Sequence, residues 1–240
     1  MLSRRWTTAW RLLRSGELKE FIIRSIGFLR NASNEKSSVD YVKWRETWVE
    51  LDKEKRSFLY DKLDTLNSRP CFSIFISTDN TNLESLFLTI ESVRNQIYPD
   101  WFLYLTSEDR LDPYLYEEVS SFGDSRIKVG NSESFHVDDW FVELDSTMIL
   151  HQAAFLSTAS AINENQEISI VYTDHDHLDH SGNFCDPHMK PVWNADLFAA
   201  MDYLSPFVFC KKELWKFRMG YESDRHGFLL EATKGLSSSQ

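Results

Sequence analysis

The stretch CFSIFISTDNTNLESLFLTIESVRN, residues 71–95, changes its hydrophobic period halfway along. Residues 71–77 form a short apolar, β-rich run that suits a strand buried on both faces. TDNTN then supplies turn residues, and Thr81 with Glu84 has the form of a capping box. Leu83, Leu86, Phe87, Ile90 and Val93 follow at helical spacing. One buried strand feeding one amphipathic helix is the opening unit of an α/β domain.

The same alternation continues downstream. YPD breaks the helix, and WFLYLT (101–106) reads as a second strand. Residues 115–122 read as helix, RIKVG (126–130) and WFVELD (140–145) as strands, 149–163 as helix, and ISIVYTD (168–174) as another buried strand. This order predicts a three-layer α/β fold over residues 70–215 with a mainly parallel sheet, its strands near 72–77, 101–106, 126–129, 140–145 and 168–173. In such sheets ligands bind beyond the carboxyl ends of the strands. The groups expected there are Thr78-Asp79-Asn80, Ser107-Glu108-Asp109, Asp145 and Asp174-His175-Asp176. A rim of carboxylates suits a divalent cation bridging acidic side chains and phosphate oxygens. Polar loops also end most strands without any ligand, so the rim alone does not decide.

Bulk composition excludes several classes. The chain has 240 residues, 42% of them apolar and 14% aromatic, enough for a substantial core. A net charge of −11 argues against nucleic acid as a partner, which needs a basic footprint. That charge is uneven: residues 1–30 carry seven Lys/Arg against two Glu, a net of +5, so residues 31–240 carry −16. Cys71, Cys185 and Cys210 are odd in number and widely spaced, which fits a reducing compartment rather than a disulfide framework. No apolar run is long enough to span a bilayer, and Arg11, Arg14 and Lys19 interrupt any secretory h-region. These features predict a cytoplasmic protein.

Within the leader, Leu18, Phe21, Ile22, Ile26 and Leu29 fall on one helical face, and Trp6 and Trp10 sit one turn apart among arginines. Such a segment suits an anionic membrane surface; a helix docked on the domain is the competing reading. NASNEKSS (31–38) is a polar linker, and 40–66 returns to a helical pattern with Tyr41, Trp44, Trp48 and Leu51 on one side.

Several of these segments together resemble family 2 glycosyltransferases of the GT-A fold, in the branch associated with O-antigen and other surface polysaccharides. DYVKWRETWVELDKEKR (40–56) is similar to that branch's Y-x-x-W lead-in. RPCFSIFISTDN (69–80) resembles its opening strand and TIESVRNQIYPDW (89–101) its S-V-x-x-Q-x-Y-x-x-W signature. VYTDHDHLDHSGNFCDPHMKPVWNADL (171–197) resembles its Y-S-D-E-D-x-I-D-x-x-G…P-x-F-K-P-x-W-x-x-D-L block. That block keeps Tyr172, Asp174, Asp176, Asp179, Gly182, Pro187, Lys190, Pro191 and Trp193. It also holds four of the chain's seven histidines, at 175, 177, 180 and 188, where the family pattern does not call for them. Their linear spacing is poor for zinc, which usually takes a tight ligand pair repeated at a distance. A His/Cys metal site therefore trails drift in an inherited acid-rich segment.

The resemblance implies three regions: a basic leader and linker (1–36), a helical lead-in (37–69), and a GT-A domain (70–240) expected to be incomplete at its C-terminus. It implies a nucleotide-sugar donor, a saccharide or lipid-linked acceptor, transfer with inversion, and a divalent cation, Mg2+ or Mn2+. Thr78, Asp79 and Glu108 would face the nucleotide and Asp145 would hold the metal. Asp174, Asp176, Lys190 and Trp193 would border the donor and acceptor pocket. The protein would work at the inner face of the plasma membrane, with residues 1–30 on the lipid.

The chain also departs from the pattern at positions that carry the chemistry. Ser107-Glu108 stands where Asp-Asp is usual, Ser77 and Asp79 replace Pro and Tyr, and Ser146 and Thr147 follow Asp145 where the metal-binding D-x-D should end. No acid fills the acceptor-activating position, so the catalytic base is unknown; Asp224 and Glu231 lie near it but out of register. A module that binds sugar or a partner enzyme without turnover is the alternative reading.

Overall fold

The computed structural model describes residues 37–79, 81–107, 113–130, 135–218, 224–234 and 236. In chain order the elements are α1 (Ser37–Trp48), α2 (Lys53–Asp64), β1 (Phe72–Ser77), α3 (Leu83–Arg94), β2 (Trp101–Thr106), α4 (Pro113–Ser121), β3 (Ile127–Gly130) and β4 (Trp140–Leu144). They continue with α5 (Ala154–Glu164), β5 (Ile170–Tyr172), β6 (His175–Leu178), β7 (Phe184–His188), α6 (Ala195–Ala200), β8 (Val208–Lys211), α7 (Trp215–Arg218) and α8 (Arg225–Thr233).

Two compact units result. One combines α1 with the β6–β7 hairpin, within residues 1–51 and 174–189; the other holds the rest, residues 52–173 and 190–240. The helical lead-in therefore contributes α1 to one unit and α2 to the other.

The larger unit is built on a six-stranded sheet of order β3-β2-β1-β4-β8-β5. β1 lies between β2 and β4, parallel to both, and β3 is parallel to β2. Only β8 runs against its neighbours, β4 and β5. Residues two apart share a face. Phe72, Ile74 and Ile76 are fully buried on one face beside Trp101, Leu103 and Leu105 of β2 and Trp140, Val142 and Leu144 of β4. On that side Phe72 packs on Phe155 of α5 and Phe209 of β8, at centroid distances of 5.7 and 5.0 Å. Phe75, Tyr104 and Phe141 line the other face with Phe198, Leu214, Phe228 and Leu229 of the C-terminal helices. Trp215 stacks on Phe75 at 4.9 Å. Helices thus cover the sheet on both sides, the arrangement that a parallel sheet with two apolar faces requires.

The signature at 89–101 proves to be scaffold. The Gln96 side chain is buried, donates to the Ser92 and His151 carbonyls at 3.1 and 2.9 Å, and accepts from Phe155 N at 3.1 Å. The Ser92 hydroxyl accepts from Leu150 N at 3.0 Å, and Tyr98 donates to the Pro70 carbonyl at 2.8 Å. These bonds stitch the end of α3 to the start of α5 and to the lead into β1. The Arg126 guanidinium covers the Trp101 ring at 3.8 Å.

Several local expectations are corrected. The N-cap of α3 is Asn82, whose side chain accepts from Ser85 N, not Thr81. The Thr81 hydroxyl donates instead to the Ser77 and Asp79 carbonyls, so a capping box does not form. The asparagine offers the same acceptor one residue later, and a shorter turn suffices. The helix expected from 149 begins at Ala154, because residues 150–153 are held as a turn by Ser92 and Gln96. β5 is three residues rather than six, and β8 and the hairpin were not foreseen. All three cysteines are free; burial, with Asp138 and Asp139 nearby, pushes the Cys71 thiol up to about 12.

Because Ile74 is wholly enclosed at the centre of the sheet, Ile74→Ala should cost about 2–5 kcal/mol of unfolding free energy. The denaturation midpoint would read this loss.

Candidate functional site

Parallel strands deliver their carboxyl ends to one rim. Ser77 of β1 is level with Thr106 of β2, and Ile76 with Leu144 of β4. Thr78 and Asp79, Ser107, and Asp145 therefore emerge side by side, as the alternation of elements predicts. β5, antiparallel to β8, points the same way, so Thr173 also leaves the sheet at this rim.

The β1 and β2 ends are tied together there. Thr78 donates its amide and hydroxyl to the Thr106 carbonyl, at 2.8 and 3.1 Å. The Asp79 carboxylate accepts from the Ser107 hydroxyl at 2.5 Å and from the Ser77 hydroxyl at 3.3 Å. Ser107, which stands where the family has aspartate, is thus a donor to Asp79 rather than a second acid. Asn80, Glu108 and Asp109 lie outside the described residues, as does the basic leader.

Asp145 sits in a charge cluster that the sequence reading missed. Its carboxylate is 3.8 Å from Nη2 of Arg225, and its side chain is 60% exposed. Two residues earlier on the same face, Glu143 accepts from Arg218 Nε at 2.7 Å and lies 3.9 Å from Arg225 Nε. A glutamate inside the otherwise apolar WFVEL strand was the available signal: facing inward, it needs cations. Among the described residues no three acidic side chains converge at this rim. One carboxylate beside a guanidinium does not make a cage for a hard cation, which wants several oxygen ligands.

Of the residues near the expected base position, Asp224 is the N-cap of α8 and accepts from Gly227 N at 2.8 Å. Its lone pair serves the helix. Glu231 faces a cavity of about 580 Å³ also lined by Trp193, Ala195, Phe198, Leu230 and Lys234, and pairs with Lys234 at 2.5 Å. Trp193 packs on Phe198 with the rings tilted and their centroids 5.4 Å apart, and Lys190 Nζ donates to the Leu204 carbonyl. Trp193 and Glu231 together present an apolar ring and a carboxylate in one cavity.

Asp174 and Asp176 belong to the smaller unit. There Asp176 accepts from the Tyr41 hydroxyl at 2.6 Å and from the Arg45 guanidinium. Burial, and then the bond to Asp176, push the Tyr41 hydroxyl well above its ordinary range, so it stays a donor. Arg45 also covers the Phe184 ring at 3.3 Å. Asp176 is therefore the anchor that holds the hairpin on α1. Asp179 accepts from the amides of Ser181 and Asn183 at 2.8 Å each, and Gly182 closes the turn at φ +78°. Hydrogen bonds from Asn183 hold the Asp179 carboxyl below its usual range. Half of the acid-rich block thus builds a hairpin.

No protein-family profile matches the chain. Two curated proteins do: the uncharacterized protein y4gI of Sinorhizobium fredii, 29% identical over 176 residues, covering 65% of this chain and 19% of that protein. The O-antigen biosynthesis protein RfbC of Myxococcus xanthus is 26% identical over 193 residues, covering 72% of this chain and 15% of that protein. The chain spans less than a fifth of either relative's length. Among solved structures, S. aureus TarS 1–349 superposes with a TM-score of 0.50 at 15% identity, over 67% of this chain and 53% of that one.

Removing the anchor should loosen the hairpin alone. Asp176→Asn replaces a charge-assisted contact, so amide exchange across residues 175–188 should accelerate by about 1–3 kcal/mol of local stability. Exchange in β1, β2 and β4 should be unchanged. The six-stranded, mainly parallel sheet between helical layers is the GT-A-type architecture of glycosyltransferases, as the sequence resemblance implies.

Proposed function

We propose that the chain is a glycosyltransferase domain that transfers sugar, with inversion, from a nucleotide-sugar donor to a growing surface polysaccharide or lipid-linked acceptor. The observation that carries this reading is the meeting of Thr78, Asp79, Ser107 and Asp145 at one rim of the parallel sheet. That rim is where such sheets bind ligands. Thr78, Asp79 and Glu108 would face the nucleoside. Lys190 and Trp193 would border the sugar and acceptor, with Trp193 offering a ring face to a pyranose. Asp176 contributes indirectly, by holding the hairpin. The O-antigen name of one relative supports the substrate class.

Asp145 would hold a Mg2+ or Mn2+ ion together with the donor's own phosphate oxygens, since it supplies only one carboxylate. When bound, such a cation neutralises charge on the departing diphosphate. Arg225, beside Asp145, would supply positive charge at the same place. Donor affinity should therefore have two parts. Calorimetric titration of UDP- and dTDP-sugars with and without Mn2+ separates them. Asp145→Asn should weaken the Mn2+-dependent part and leave the fold intact. Arg225→Ala should weaken binding without cation by about 1.5–3 kcal/mol, roughly tenfold or more in Kd. Absence of donor binding under every condition would refute the reading.

A second reading is favoured by one observation: Asp224, near the family's base position, serves as the N-cap of α8 by accepting from Gly227 N. On this reading the domain binds donor or partner without turnover. Nucleotide release on adding acceptor distinguishes the two.

The membrane role belongs to the same proposal. A +5 leader would hold the domain at the cytoplasmic leaflet near lipid-linked acceptors. Basic residues there contribute about 1 kcal/mol each, screened beyond about 8 Å at physiological salt. The 240-residue chain should float with anionic liposomes, less so as salt rises, and a chain beginning at Ser37 should not. Equal flotation of both, or of neither, removes the membrane role.

A further inference from the structure

The β6–β7 ladder pairs Leu178 with Phe184 and His177 with Cys185, then shifts register. One residue of β6, Asp176, faces two of β7, Asp186 and Pro187, before His175 meets His188. This is a β-bulge. Asp186 carries φ +47°, in the left-handed region that aspartate enters more readily than most residues. Side chains alternate faces along a strand, so a one-residue slip reverses them. Without the inserted residue His175 would sit opposite Pro187, and His188 would project from the other face. With it, His188 joins His175 and His177.

The three side chains converge. Their ligand-capable atoms all lie within 4.8 Å of one another. Ring centroids are 4.6 Å apart for His175 and His188, 5.2 Å for His177 and His188, and 5.7 Å for His175 and His177. His175 is half-buried and the other two are exposed, so an ion has a path in. Zinc binds imidazole nitrogen at about 2.0–2.1 Å, so ring movements on the order of 1 Å bring three donors onto one ion. Three neutral imidazoles suit zinc, copper or nickel, whereas magnesium and calcium prefer oxygen.

We propose that His175, His177 and His188 form a three-imidazole site for a borderline divalent transition ion, zinc first, with its remaining position open to solvent. The ligands come from both strands and lie at the base of the hairpin, away from the Gly182 turn. A bound ion would therefore cross-link β6 to β7 and stabilise the pair that Asp176 anchors to α1. None of these histidines belongs to the proposed sugar-nucleotide site, and the inference holds whether or not the chain transfers sugar.

The test uses the full chain, stripped with a chelator and titrated calorimetrically with zinc chloride. One zinc per chain is expected, with a rise in thermal stability. The double variant His177→Gln/His188→Gln should lose about 100-fold or more in affinity, while His180→Gln, outside the cluster, should bind like the parent. Single His177→Gln, at an exposed position, repeats the test should the double variant fold poorly. Absence of zinc binding by the parent chain, or undiminished affinity in the histidine variants, would overturn the site.

Discussion

The double burial of β1 governs the rest of the larger unit. Phe72, Ser73, Ile74 and Ile76 are sealed from solvent although they point to opposite faces. A strand in that state needs a neighbour on each edge for its amides and a layer of side chains on each face. β2 and β4 meet the first need in matched parallel register, and the α5 and C-terminal helix layers meet the second. Parallel pairing then has a functional consequence that no side chain selects individually. Every strand of this set ends at the same rim, and the polar residues that follow are gathered there.

What the rim gathers differs from a full complement of acids. Asp79 is satisfied by serine hydroxyls, and Asp145 and Glu143 are answered by Arg225 and Arg218. A charge placed in this half-buried position would be costly alone, so Glu143 depends on arginines 75 and 82 residues later, Arg218 and Arg225. Under the proposed function, the positive charge brought in for structural reasons would also face the donor diphosphate.

The smaller unit is organised by a different economy. Its hairpin has few apolar residues to bury and is held by Asp176 between Tyr41 and Arg45, with Arg45 also lying on Phe184. Acids that look like a binding motif in one dimension are turn-formers and anchors in three. The same local geometry, through the bulge at Asp186, sets three histidines on one face.

Hydrophobic period alone determined the fold class. The β1, β2 and α3 spans are read almost residue for residue from runs such as FSIFIS and WFLYLT, because burial on both faces leaves a continuous apolar signature. The rim positions of Asp79 and Asp145 follow from the same reading, since a parallel sheet admits one placement. The tertiary structure decided what those residues touch. Asp224 as a cap, Arg225 beside Asp145, and Glu231 facing Trp193 depend on how the C-terminal helices cross the sheet, a long-range packing outcome with no local period. β8 and β5 were hidden or overextended because short strands of three or four residues carry too little pattern. The histidine triad was hidden for a sharper reason: one inserted residue reverses the side-chain alternation of β7, and linear spacing does not record a bulge.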